Sequence, residues 1–196
     1  MQRLTAAIAA KKNPTVLGLD PRLDMLPKEL LDEFDTYNSH SGACKAMYQF
    51  NIDLLGALVD IVPAVKFQMA CYEAFGEPGM VVFEASVKAA KKLGYYVMAD
   101  GKRNDIGSSA EQYAEAFLGE DTYNVDCLTV NPYPGSDGIT PFHDMCKKHD
   151  KNIFALVKMS NPSSGELQDL VLQDGRTVYR AVADTLAKLG ADSIDE

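Results

Sequence analysis

No stretch of the sequence approaches the roughly 18 consecutive apolar residues of a membrane-spanning helix, so a helical bilayer-spanning protein is not expected. Positive charge is in short supply too. Nineteen Lys and Arg against 28 Asp and Glu leave a net charge of −9. Nucleic acid and anionic membranes both call for a basic surface, so neither is an expected partner. That balance leaves room for a few lysines in one cleft to take an anionic small molecule. Cysteine is sparse: Cys44, Cys71, Cys127 and Cys146 are scattered, with no C-x-x-C pair among them. Free thiols in a reducing compartment are expected, rather than a disulfide framework. The first ten residues are too alanine-rich for a secretory leader. Lys11, Lys12, Asn13 and Pro14 close them as they would an amphipathic helix, and the chain is expected to be cytoplasmic. Repeats, low-complexity tracts and linkers are missing as well. A chain of 196 residues, 46% apolar and 24% charged, then reads as one domain with a real core, spanning 1–196.

What is present is an alternation. Short apolar runs at 15–19, 64–68, 95–100, 127–131 and 152–159 read as strands. Between and after them, 42–61, 78–93, 108–118, 138–148 and 176–189 carry helical spacing. In the first of these helices Ala46, Phe50, Leu54, Leu58 and Ile61 recur at intervals of three and four. Pro78 suits a first turn, and Gly94, Gly119 and Gly190 suit positions just past a helix end. Residues 32–41 and 161–175 read as loops. Strand-helix alternation repeated five times predicts a parallel sheet covered by helices. Periodicity alone allows a doubly wound open sheet or a (β/α)8 TIM barrel. Polar residues at the C-terminal ends of all five strands favour the barrel: Asp20, Lys66 with Gln68, Asp100 with Lys102, Asn131 and Ser160. An open sheet usually places a glycine-rich loop after its first strand. Here Leu17-Gly18-Leu19-Asp20-Pro21-Arg22 is neither a dinucleotide fingerprint nor a Walker A loop.

The densest chemical signal runs from Ala99 to Gly107. Asp100 and Lys102, two apart, are predicted to share a strand face. Asp105 follows on the turn, and Lys66 ends the preceding strand. Two ammonium groups and two carboxylates then alternate in a confined space. A lysine between carboxylates stays protonated. It can stabilise developing negative charge and then deliver a proton to carbon. Taken alone, the pattern equally suits a salt-bridge network that only holds the sheet. Two other motifs read as structural. His143, Cys146 and His149 have a spacing that could collect a metal, but Asp144, Lys147, Lys148 and Asp150 around them mark an exposed helix end. Gly135-Ser136-Asp137-Gly138 lacks a following G-K-[ST] and reads as a turn in which Asp137 caps the next helix.

Leu19-Asp20-Pro21-Arg22, Val65-Lys66-Phe67-Gln68, Asp100-x-Lys102-x-x-Asp105-Ile106 and Met159-Ser160-Asn161-Pro162 occur in this order at the ends of successive βα units. Over nearly the whole chain the set resembles the orotidine 5′-phosphate decarboxylases, in the larger of their two broad bacterial sequence types. The resemblance implies a carboxy-lyase that converts orotidine 5′-phosphate to uridine 5′-phosphate and CO2 in pyrimidine biosynthesis, with neither metal nor cofactor. It implies that Lys102 protonates the pyrimidine carbon, with Asp100 beside the substrate carboxylate and Lys66 linking carboxylates and ribose. Asp105 would come from the other subunit of a homodimer, with Ile106 and Ser109 lining the shared wall. Asp20 would hold a ribose hydroxyl and Ser160 the pyrimidine edge, while Asn131 has no assigned role. A complete barrel takes about 250 residues, so this chain is expected to supply the first five βα units, with a sixth strand beginning near 190–196. The residues gripping the 5′-phosphate are then expected elsewhere, and the 196 residues alone to be inactive. Metal-dependent sugar-phosphate decarboxylases and hexulose-phosphate synthases share the Asp-x-Lys-x-x-Asp pattern. Lys66 favours the metal-free reading, and a non-catalytic truncated relic is the other alternative.

Overall fold

Short runs of apolar and β-branched residues form five strands: β1 (Val16–Leu19), β2 (Ala64–Gln68), β3 (Tyr96–Arg103), β4 (Cys127–Val130) and β5 (Asn152–Ala155). The structure is a computed structural model that describes residues 1–36 and 39–191. Every neighbouring pair is parallel, and the spatial order is the chain order, β1-β2-β3-β4-β5. A doubly wound sheet must reverse its order at a switch point. This sheet never does, so it forms the first five units of a barrel.

The helices are α1 (Gln2–Lys11), α2 (Lys28–Glu33), α3 (His40–Leu58), α4 (Met69–Glu73), α5 (Gly76–Lys92), α6 (Gly107–Leu118), α7 (Ser136–His149), α8 (Gly165–Gln168) and α9 (Val178–Gly190). Strand parity sorts the side chains into two layers. Val65, Phe67, Val97, Ala99, Leu128 and Val130 face the helices and form the main core. Phe83 of α5 sits at its centre, 5.8 Å from Phe67, 5.6 Å from Tyr72 and 5.1 Å from Tyr123 between ring centroids. Ala64, Tyr96, Met98 and Cys127 face the other way and pack under Leu4 of α1. The same inner face, two or four residues further along the strands, carries Lys66, Gln68 and Asp100. An apolar floor therefore lies beneath the polar end.

The boundaries differ from expectation where local chemistry intervenes. β5 ends at Ala155 rather than at 159: one more bond, Leu156 N–H to the Val130 carbonyl at 3.0 Å, closes the pairing. Past that point the facing chain reaches Pro132, which has no N–H to offer. β3 runs on to Arg103, with a register shift against β4 between Ala99 and Arg103. The segment expected as a loop at 32–41 opens inside α2, and Ser39 Oγ accepts the Gly42 N–H at 2.8 Å to cap α3. Within 161–175 lie a 3-10 turn at Pro162–Ser164 and α8. Gly94, at φ 88°, ends α5 as expected. Asp137 is not the cap expected of it. α7 starts one residue before it, so Asp137 sits in the first turn and accepts only its neighbour Gly138 N–H, at 3.1 Å. A Cβ on Gly138 would lie 3.0 Å from both the Asp105 carbonyl oxygen and Pro134 Cβ, so α7 is pressed against the loop that carries Asp105. The expected start of a sixth strand falls on α9 up to Gly190, and beyond residue 191 it lies outside the described residues. All four cysteines are free thiols. Among the described residues no helix is long and apolar enough to cross a membrane.

Candidate active site

Asp100 is the centre of the polar end. Its side chain is 13% exposed, and all of its acceptor capacity is directed. Oδ1 takes Lys102 Nζ at 2.5 Å and the Thr129 hydroxyl at 2.9 Å. Oδ2 takes Lys66 Nζ at 3.3 Å and the Gln68 amide at 3.1 Å. Lys66 Nζ also donates to Asp20 Oδ1 at 3.3 Å. A ladder of alternating charge, Asp20–Lys66–Asp100–Lys102, thus crosses the C-terminal ends of β1, β2 and β3. Burial by itself would raise the Asp100 pKa. The hydrogen bonds from Lys102 and Thr129 and the charges of Lys66 and Lys102 outweigh it, and the carboxyl sits below its ordinary range.

Backbone geometry aims Lys102. Its φ is 47°, in the left-handed region that non-glycine residues seldom occupy. Asp100 and Lys102 meet across this irregular turn of the strand, not by simple two-residue periodicity. Two contacts hold it. The Lys102 N–H donates to Thr129 Oγ1 at 2.9 Å, so one hydroxyl ties both the lysine backbone and the Asp100 carboxylate to β4. On the other side the Arg103 guanidinium is paired with Glu73 of α4 and lies over Phe117 and Tyr113, 5.4 and 5.7 Å from the ring centroids. Gly101 lets the strand cross α4 closely, since a Cβ there would lie 3.2 Å from Met69 Cγ.

The remaining expected site residues are distributed unevenly. Asp20 joins the ladder. Asp105 stands outside it in this chain, and its carboxylate accepts the Ile106 N–H at 2.8 Å. Ile106 is 58% exposed and Ser109 is exposed beside it. Ser160 does not sit at a strand end: it is exposed in the loop beyond β5, because that strand stops early. Asn131 shapes the β4 loop, its side chain accepting the Tyr133 N–H at 3.1 Å. Sequence reasoning missed Thr129. The signal available was one polar residue in an otherwise apolar strand, in phase with Cys127 and Asn131. At the His143-Cys146-His149 motif, His149 Nδ1 lies 3.5 Å from a Glu120 carboxylate oxygen, and burial pushes the Cys146 thiol up to about 12. Lys147 and Lys148 beside them are exposed. No group of three or more His, Cys, Asp or Glu suited to a metal occurs among the described residues.

Comparison with known proteins gives this geometry a context. An orotidine 5′-phosphate decarboxylase from Rhodopirellula baltica is 42% identical over 198 residues, 98% of this chain and 65% of that protein. One from Clostridium novyi is 36% identical, over 92% of this chain and 60% of that protein. The chain therefore spans less than two thirds of the length of these relatives. The structure of Leishmania donovani OMP decarboxylase superposes with a TM-score of 0.73 at 29% identity, covering 93% of this chain and 62% of that one. Residues 23–195 match the family described as orotidine 5′-phosphate decarboxylase / HUMPS, and the chain belongs to that family.

Proposed function

We propose that this chain carries the reacting centre of an orotidine 5′-phosphate decarboxylase, the activity for which its Rhodopirellula and Clostridium relatives are named. The observation that carries the reading is the Asp100 carboxylate held between two ammonium groups with every acceptor position engaged. The substrate carboxylate beside Asp100 leaves as CO2, and its electron pair stays on the pyrimidine carbon. The Lys102 ammonium, hydrogen-bonded to Asp100, stabilises that carbanion and then protonates it. Lys66 and Asp20 take the ribose hydroxyls, and Ser160 the pyrimidine edge. None of these steps uses a metal or a cofactor.

Asp105, Ile106 and Ser109 serve the second subunit of a homodimer. Asp105 is outside its own chain's ladder and Ile106 is exposed beside it, which supports that assignment. The 5′-phosphate is gripped by residues in the part of the relatives that this chain does not cover, so residues 1–196 alone are inactive. The reaction takes place in the cytoplasm and involves neither nucleic acid nor membrane.

The test is orotidine 5′-phosphate turnover by the intact gene product, with and without a chelator. Activity indifferent to the chelator is expected. No turnover would overturn the reading, and loss of activity in chelator would move the enzyme to the metal-dependent branch of the family. Mixing Lys102→Ala subunits with Asp105→Ala subunits should restore up to one intact site per heterodimer. No recovery after confirmed subunit exchange would count against a shared site.

A further inference from the structure

At the opposite end of the sheet, where β3, β4 and β5 begin, a second charged cluster surrounds Asp126. This carboxylate is 1% exposed, and its Oδ2 accepts the Val97 N–H at 2.9 Å. Three cations converge on Oδ1: Arg3 of α1 at 2.9 Å, Lys91 of α5 at 3.7 Å and Lys151, just before β5, at 3.7 Å. The two lysines also share Asn124 Oδ1, at 2.9 and 2.6 Å. Three positive charges therefore depend on one negative charge. Water reaches Arg3 and, less fully, Lys91, but the Lys151 side chain is only 5% exposed, so solvent does little to compensate its charge. Among the described residues the Tyr96 hydroxyl, the Cys127 and Cys146 thiols and the chain's amino terminus are the other ionisable groups around the cluster. Burial, and then the charge of Lys91, bring the Lys151 pKa down to about 8. An amine out of water beside another cation exists in part as the free base, and the free base is a nucleophile.

We propose that Lys151 is a carbamylation site, where the side-chain amine takes up dissolved CO2 and holds the resulting carbamate between Arg3 and Lys91. The nitrogen lone pair forms the N–C bond, one C=O π pair moves to oxygen, and the displaced N–H proton goes to solvent. Lys–NH2 and CO2 thus give Lys–NH–COO⁻ and H⁺, with no oxidant or reductant. Charge balance favours the product. With Lys151 neutral the cluster of Arg3, Lys91 and Asp126 carries a surplus of one positive charge, and the carbamate cancels it. The N–H left on the carbamate nitrogen can still donate to Asn124 Oδ1. Because Arg3 belongs to α1, the modification fastens that helix to the sheet. The inference is independent of the reading of the Asp100 site, although CO2 is also what the proposed reaction releases.

The test equilibrates the intact protein with 13C-labelled bicarbonate and CO2, traps carbamates with triethyloxonium and maps them by mass spectrometry. The ethoxycarbonyl adduct is expected on Lys151, increasing several-fold between about pH 6.5 and about pH 8.5 at constant dissolved CO2. The unfolding temperature should be higher in bicarbonate than in chloride of equal ionic strength. Lys91→Met makes Lys151 more basic and removes a cation from the carbamate, so labelling should fall several-fold. If that variant does not fold, labelling of the wild-type protein decides alone. Adducts on exposed lysines or the amino terminus with none on Lys151 would overturn the proposal, as would labelling of Lys151 that ignores pH.

Discussion

Asp100 and Asp126 sit near opposite ends of the same parallel sheet, and each gathers lysines, yet the two clusters are balanced differently. At the Asp100 end, two carboxylates alternate with two ammonium groups, and Lys102 is 39% exposed at the mouth. At the Asp126 end, three cations crowd one carboxylate beneath α1, and the Lys151 side chain is almost wholly buried. The first arrangement holds a lysine against a carboxylate at an open mouth. The second drives a lysine towards neutrality, by burial and then by the charge of Lys91. One residue type thus meets two environments, paired with carboxylates at an open mouth and buried among cations beneath a helix, which is the physical content of a site as distinct from a motif.

The largest effect that would break this contrast is at Lys102. In the intact gene product Lys102→Ala should cut turnover by about 10³-fold or more, the scale of losing a general acid together with its charge. A circular-dichroism melt checks that the fold survives, and near-wild-type turnover in a folded variant would reduce Lys102 to a structural ion pair. Asp126→Ala should do the reverse. Leaving buried cations without their carboxylate costs about 3 kcal/mol of unfolding free energy in denaturant titration, while turnover of the folded fraction stays close to wild type. Thr129→Val removes one donor and one acceptor at the bulge. A loss of about 1–2 kcal/mol is expected, along with faster amide exchange at Lys102 and a rise in the Asp100 pKa followed by carboxyl 13C NMR. Thr129→Ser should restore both.

Titration sharpens the comparison with a smaller effect. The folded pKa of Lys151 is about 8 against an ordinary 10.5, so between those values the unfolded chain binds the extra proton. Stability should therefore rise with pH across that window, and Lys151→Met should flatten the rise. Asp100 works in the opposite sense: its lowered pKa contributes stability above the ordinary carboxylate range that is lost as pH falls through the folded value. The smallest effect is expected at Arg3, whose side chain is half exposed. Arg3→Ala should cost less than about 1 kcal/mol.

The alternation of strands and helices was legible because apolar runs and helical spacing are local properties. The ladder was legible in part. Lys66, Asp100 and Lys102 were expected together, but with Asp105 as the second carboxylate, and Asp20 takes that place because it stands at the end of the strand beside Lys66. The bulge was not legible. A left-handed backbone at a lysine has no sequence signature when the neighbouring glycine offers an easier place for it, and the Thr129 contact that supports it spans 27 residues. Ser160 was misplaced because strand length at an edge depends on what the facing chain can offer, and Pro132 offers nothing. The Asp126 cluster was invisible for a similar reason. Arg3 and Asp126 lie 123 residues apart, and only the folded chain brings α1 beneath β4.

Gly138 has a consequence for how such a protein can change over time. A side chain there would have to move the Asp105 carbonyl or Pro134 by a few tenths of an ångström. On the dimeric reading Asp105 works in the neighbouring subunit, so a substitution on one protomer's α7 is felt in the other protomer's reaction. Inheritance can then adjust the spacing between two centres by one methyl group at a position that never meets a substrate. That adjustment would reach a mutational scan as an activity change with no obvious address.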